Sequence, residues 1–190
     1  MAVTKTLVGV IATQGHPPGT ILEKVNNGLA QRNDSCMFVT LFLGIVDMDT
    51  GALEYACAGH DAPIQLHQDG QITRLEGVNE PMAGAMEDIE YTTLHAKLEP
   101  GDKVFSYTDG VTEAMNHAGE LFGEERLLAA LRESFGGSAE KLISGMRDHV
   151  TSFAAGADQS DDITLLVMSF NGPEGPDGPG GPENQDGQQT

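Results

Sequence analysis

The sequence predicts an α+β fold built on antiparallel sheets. Two observations carry this. Most of the strand-like segments are joined by tight turns, which antiparallel neighbours permit and parallel ones do not. The helical segments arrive in blocks and do not alternate with strands, which argues against a doubly wound parallel sheet.

Residues 2–13 place Ala2, Val3, Leu7, Val10 and Ile11 near helical spacing, and Gly15-His-Pro-Pro-Gly19 breaks that pattern. Thr20-Ile-Leu-Glu23 has the form of a capping box, in which hydroxyl and carboxylate each satisfy an amide at a helix start. Leu22, Val25 and Leu29 follow on one face, with an end near Asn33. Residues 36–46 are apolar on both faces and rich in β-formers, the pattern of a central buried strand. Asp47-Met-Asp-Thr-Gly51 is a turn, and 52–57 is the return strand, with Val46 opposite Ala52 and Cys57 opposite Leu41. Short strands are predicted at 63–67, 72–75 and 90–97, the first two joined by a tight Gln68-Asp-Gly-Gln71 turn. Glu99-Pro-Gly-Asp102 is another turn, and Lys103–Thr108 is a strand running into Asp109-Gly110. A helix over 123–134 turns Leu127, Leu128 and Leu131 inward. The next runs from an N-cap at Ser138 to about Ala154, with Leu142, Ile143, Met146, Val150 and Phe153 as its stripe. Ile163–Phe170 is the last strand.

The chain has 190 residues, enough for one compact domain over 1–170 and a tail over 171–190. The tail holds no Lys, Arg or large apolar side chain and repeats Gly-Pro-x four times from Gly172 to Glu183, which predicts a disordered acidic segment. With 10 Lys+Arg against 29 Asp+Glu, the net charge is −19. Such a surface repels nucleic acid and anionic lipid and suits hard cations, which prefer carboxylate oxygen. The opening residues are too short and too polar for a membrane span and carry no basic leader, so neither a signal peptide nor a membrane helix is expected. Cys36 and Cys57 fall several residues apart across the hairpin and form no Cys-x-x-Cys pair. Free buried thiols point to a reducing compartment, the cytoplasm.

Asp109 follows an apolar strand and precedes a glycine, while Asp161 and Asp162 stand just before another apolar strand. Carboxylates at strand ends can converge at a sheet rim where hard cations bind. Equally, Asp-Gly is a common turn and Asp-Asp a common solvated loop, and composition alone favours that reading. His60 is expected to be structural, its ring bonded to nearby backbone, and the other histidines show no metal-ligand spacing. Asp47–Gly51 lacks the third ligand and distal glutamate of a calcium loop, and Asn26 is assigned no role. No P-loop, Gly-x-Ser-x-Gly or dinucleotide fingerprint is present.

Tyr107-Thr-Asp-Gly-Val-Thr-Glu-Ala114 resembles the signature of the PPM-type metal-dependent serine/threonine phosphatases, in their bacterial sporulation stage II protein E and sigma-B regulator branch. Met37-Phe-Val-Thr-Leu-Phe42, Ala58-Gly-His-Asp-Ala-Pro63, Gly119–Leu127 and Gln159-Ser-Asp-Asp-Ile-Thr164 fall in the order of that branch's other blocks, so the resemblance spans about residues 1–170. It implies two stacked antiparallel sheets flanked by helices. It implies hydrolysis of phosphoserine or phosphothreonine on a regulatory protein, such as an anti-anti-sigma factor, by a water held between two Mg²⁺ or Mn²⁺ ions. It also implies that Asp109 and Asp161 bind one of those metals, with Asp162 beside them and ranked lower. The family opens with a Gly-Gly-Asp strand and an Asp-Val-Ser-Gly-type turn, which supply the metal-bridging aspartate. The sequence holds neither, and residues 1–13 look like the latter part of the helix that follows them. On that reading the chain is the C-terminal portion of the domain, with an uncovered sheet edge and little phosphatase activity by itself. The competing readings are a catalytically inactive phosphatase-like module that docks a partner, and a simple Ca²⁺- or Mg²⁺-binding β domain.

Overall fold

Residues 2–31, 33, 36–159 and 161–173 are described by the computed structural model. Helices α1 (Ala2–Ala12) and α2 (Pro18–Ala30) precede strands β1 (Leu41–Val46), β2 (Ala52–Ala58), β3 (Ile64–Leu66), β4 (Ile72–Arg74), β5 (Leu94–Lys97) and β6 (Lys103–Tyr107). Helices α3 (Gly123–Glu133) and α4 (Ala139–Ala154) and strand β7 (Leu165–Ser169) complete the order. The strands form two sheets, β1-β2-β5 and β4-β3-β6-β7, with every pairing antiparallel. The chain therefore leaves the second sheet after β4, lays β5 along β2 in the first, and returns as β6 beside β3.

Strand alternation builds the layers. Along β2, Leu53 and Tyr55 face a core shared with Val104 of β6, Leu98 and Phe170, while Ala56 and Ala58 pack on Leu22 of α2. On the second sheet, Ile64, Leu66, Phe105 and Tyr107 face Leu127 and Leu131 of α3 and Leu142, Met146 and Val150 of α4. The result is four layers, helix–sheet–sheet–helix, as the resemblance implies.

Most predicted elements stand; β5 is half the length predicted, beginning at Leu94 where a strand over 90–97 is expected, and four further details differ. α2 begins at Pro18 with Pro17 as N-cap and no side-chain cap bond, so Thr20 lies inside the helix and there is no capping box. The two prolines set φ and lack the N–H groups a cap would satisfy, which starts the helix ahead of the hydroxyl. Gly19 can enter here because it is bare: a Cβ would collide with the Tyr91 carbonyl, and its N–H donates to Thr93 Oγ1. α2 also ends at Ala30, short of Asn33, whose side chain bonds instead to Met37 and to the Gly84 carbonyl.

β1 is not central and does not begin at Cys36. It starts at Leu41 and is one of the two outer strands of its sheet among the described residues. Leu41 and Leu43 lie against Ile21 and Val25 of α2, and Phe42 and Val46 against the inter-sheet core. Each face is thus only partly covered, no residue of the strand is fully buried and Ile45 is exposed, so the strand is neither central nor buried; an apolar run shows that faces meet apolar neighbours, not that an edge is paired. The hairpin register is one residue away from the predicted one: Val46 pairs with Leu53, and Cys57 with Phe42. The cause is Asp47, whose Oδ1 accepts the N–H groups of Asp49 and Thr50 while its own N–H donates to the Ala52 carbonyl. Asp47 thereby joins the ladder and shortens the loop by a residue.

Both cysteines are free, but only Cys57 is buried as expected; Cys36 is exposed because it precedes β1 and lies outside the sheet. Burial, aided by the charges of Glu80 and Asp61, pushes the Cys57 thiol up to about 11. No helix among the described residues is long and apolar enough to cross a membrane. Most of the predicted tail, 174–190, lies outside the described residues.

Candidate metal centre

β6 and β7 run antiparallel with Tyr107 opposite Leu165, so the end of one and the start of the other meet at a single rim. Thr108 fastens that rim. Its N–H donates to the Thr164 carbonyl at 3.1 Å, its Oγ1 accepts the Thr164 N–H at 2.9 Å, and its hydroxyl donates to the Asp162 carbonyl at 2.9 Å. Gly110 brings the two backbones into direct contact. A Cβ at that position would lie 2.6 Å from the Asp162 carbonyl oxygen and 3.2 Å from that of Asp161, a space that only glycine leaves open.

The loops carrying Asp109, Asp161 and Asp162 are therefore side by side, although more than 50 residues separate Thr108 from Asp162 in sequence. All three side chains are exposed. Asp109 Oδ1 accepts the Gly110 N–H at 3.0 Å, and its backbone carbonyl accepts from Glu113 N–H and the Thr112 hydroxyl. Asp161 Oδ1 accepts the Asp162 N–H at 2.6 Å. Among the described residues none of the three carboxylates is paired with Lys, Arg or His.

Exposed carboxylates at one rim, lacking a cation and in Asp109 and Asp161 held by one oxygen to their own loops, suit a hard divalent ion that takes oxygen ligands. The donor set is sparse. Among the described residues no group of three or more His, Cys, Asp or Glu stands at metal-holding spacing. Mg²⁺ or Mn²⁺ fits the chemistry of these donors, with few protein ligands and the remaining positions left to water.

A cleft of about 80 Å³ opens beside Asp109, walled by Thr40, His60, Asp61 and Tyr107. His60 has the structural role expected of it: its Nδ1–H donates to the Asp61 carbonyl at 2.7 Å. Gly59, with φ +65, makes the turn, and a Cβ there would meet Met82.

The description Stage II sporulation protein E (SpoIIE) belongs to the family model that matches residues 1–171. The chain belongs to the SpoIIE family. Its curated relatives include Protein IcfG of Synechocystis sp. (strain ATCC 27184 / PCC 6803 / Kazusa), 33% identical over 141 residues, which are 74% of this chain and 22% of IcfG. Phosphoserine phosphatase RsbU of Bacillus subtilis (strain 168) is 28% identical over 169 residues, 88% of this chain and 50% of RsbU. The chain thus spans half or less of the length of these relatives. Among solved structures, the SiaA-PP2C domain of Pseudomonas aeruginosa superposes with a TM-score of 0.71 at 20% identity, covering 89% of this chain and 68% of that one. That likeness is one of fold.

In this SpoIIE-family chain the sequence reading missed two buried anchors. Asn26, fully buried on α2, accepts the Gly84 N–H at 2.8 Å through Oδ1 and donates to the Met86 carbonyl at 2.8 Å through Nδ2. The signal was present, since Asn26 shares the Leu22–Val25–Leu29 stripe, where a polar residue must find partners. Asp102, 1% exposed, accepts from Gln65 Nε2 and from the N–H groups of Gln68 and Glu99. Burial opposes its charge, but these three bonds hold its carboxyl below the usual range.

Proposed function

We propose that this SpoIIE-family chain carries part of the metal centre of a protein serine/threonine phosphatase, with Asp109 and Asp161 sharing one Mg²⁺ or Mn²⁺ ion and Asp162 beside them. The observation that supports this is the Thr108 clamp, which holds two uncompensated acidic loops at one rim. Divalent ions in such a centre acidify a water and offset phosphoryl charge, so no covalent nucleophile is required. The chain's own residues divide the remaining work. The carboxylates of Asp109 and Asp161 supply hard donors, Thr108 and Gly110 fix their spacing, and His60 and Asp61 wall the cleft a phosphoryl group would enter.

The substrate on this reading is phosphoserine or phosphothreonine on a regulatory protein, an anti-anti-sigma factor being the kind such phosphatases take. The name of the relative RsbU, a phosphoserine phosphatase, supports that class. Two free thiols, one buried and raised, support a cytoplasmic setting.

Calorimetric titration with Mn²⁺ tests the site. The 190-residue chain is expected to bind weakly, in a roughly millimolar range, because two or three carboxylates are few ligands. Asp109→Asn and Asp161→Asn should each weaken binding several-fold with the circular dichroism spectrum unchanged, and Asp162→Asn should weaken it less. Turnover of p-nitrophenyl phosphate, where measurable, should fall in the same order. Equal Mn²⁺ affinity in wild type and Asp109→Asn would sink the metal reading and leave the catalytically inactive partner-binding module.

A further inference from the structure

Beside the cleft at Asp109 lies a larger one, about 610 Å³, and the two share Gly59, His60, Asp61 and Tyr107 as a common wall. A phosphoryl group at the rim would leave the chain on either side of it only a short way from this second space. Its acids are Asp61, Glu80 and Glu124, and its one Lys or Arg is Arg74. That cation is already committed. Arg74 Nη2 donates to Glu124 Oε1 at 2.8 Å and to the Tyr107 hydroxyl at 2.9 Å, and Nη1 donates to the Ala62 carbonyl at 2.7 Å. Glu80 is engaged too, accepting the Thr92 N–H. Asp61 differs: it is exposed, its backbone carbonyl takes the His60 ring, and its carboxylate has no cationic partner among the described residues.

We infer that the larger cleft receives the substrate segment flanking the phosphorylated residue, and that Asp61 selects a lysine or arginine in that segment. The inference deepens the phosphatase reading and rests on it for the phosphoryl position. Charge complementarity sets the direction. The Arg74–Glu124 pair cancels within the cleft and leaves the carboxylates of Asp61 and Glu80, so a cationic side chain gains an ion pair that an acidic one would replace with repulsion. The protein's overall −19 would attract any cation diffusely, so the distinguishing property is dependence on position in the peptide.

The test uses labelled peptides in which a non-hydrolysable phosphonate replaces phosphoserine, so that binding is read without turnover. One lysine is walked along both flanks, with alanine and glutamate versions for comparison, and dissociation constants are measured by fluorescence anisotropy in Mn²⁺ on the full chain. One or two positions should favour lysine by about three- to fivefold, the worth of a single partly exposed ion pair. Asp61→Asn should erase that advantage, raised salt should shrink it, and the distant α4 substitution Glu140→Gln should leave it intact. An advantage equal at every position, one that survives Asp61→Asn, a preference for glutamate, or no peptide binding at all would each overturn the inference. The Mn²⁺ titration reports the metal reading separately. If that fails while the Asp61-dependent lysine preference holds, the cleft is a peptide site without phosphatase chemistry.

Discussion

Asp102 carries the most demanding electrostatics among the described residues. Its side chain is nearly sealed from water, yet it remains an acceptor for one side-chain amide and two backbone amides at the turn from β5 into β6. A group held below its ordinary value contributes stability above the usual carboxylate range and loses it as pH falls through the folded value. Asp102→Asn should therefore cost about 1–3 kcal/mol at neutral pH, since a donor amide replaces one acceptor in a buried cluster. Urea melts of both proteins should show the gap narrowing as pH falls through and below the usual carboxylate range, where the wild-type carboxyl takes up its proton. A constant gap across that range would show that shape, not charge, sets the loss. Sequence reading had placed Asp102 only at a turn, because nothing in Glu99-Pro-Gly-Asp102 says which side chain points inward. Asn26 shows the opposite case: its place on an apolar stripe announced a buried polar group, and only its partners, some 60 residues away, were hidden.

At the scale of elements, the β6–β7 rim rests on one hydroxyl and one missing Cβ. Thr108→Val keeps the shape but strips partners from the Thr164 N–H and the Asp162 carbonyl. It should lower stability by about 1–3 kcal/mol and weaken Mn²⁺ binding, and Thr108→Ser should restore both. Gly110→Ala should act on the same two readouts by pushing the loops apart, since its Cβ would fall within 2.6 Å of backbone oxygen. Unchanged Mn²⁺ affinity in Thr108→Val would mean that the clamp does not set the spacing of the carboxylates. The sequence showed these strands and the acids at their ends, but not that β6 and β7 are neighbours, because antiparallel pairing across an intervening pair of helices leaves no local mark. The errors at β1 and α2 have a similar source. Apolar pattern fixes which faces are covered, and it is silent on edge position, on a one-residue register and on a proline-set helix start.

For the whole molecule, composition and periodicity reached the α+β class, whereas the four-layer stacking came through the resemblance to a family. Individual strands of three to seven residues carry too little pattern to say which sheet they join. Composition does speak for the far end of the chain. Gly172 is buried and lies beside Pro100, so ordered packing continues to the last described residues. Beyond them the sequence offers no large apolar side chain to offset the entropy of ordering. Cutting the chain after Pro173 should leave the melting temperature within about a degree of the full-length value, since the removed sequence has no large apolar side chain to contribute to a core. A drop of several degrees in a thermal melt would show that the removed residues pack on the domain.

The excursion of β5 has a mechanical meaning. Between β4 and β6 the chain passes through the first sheet and comes back, as a thread passes through two pieces of cloth. Neither piece can be lifted away while the stitch holds, because peeling the first sheet pulls on β5, and β5 is tied through a short turn to β6, the strand that leads into Thr108 and Asp109. Two cores sewn in this way come undone together, so the rim of acidic loops keeps its shape for as long as the seam does.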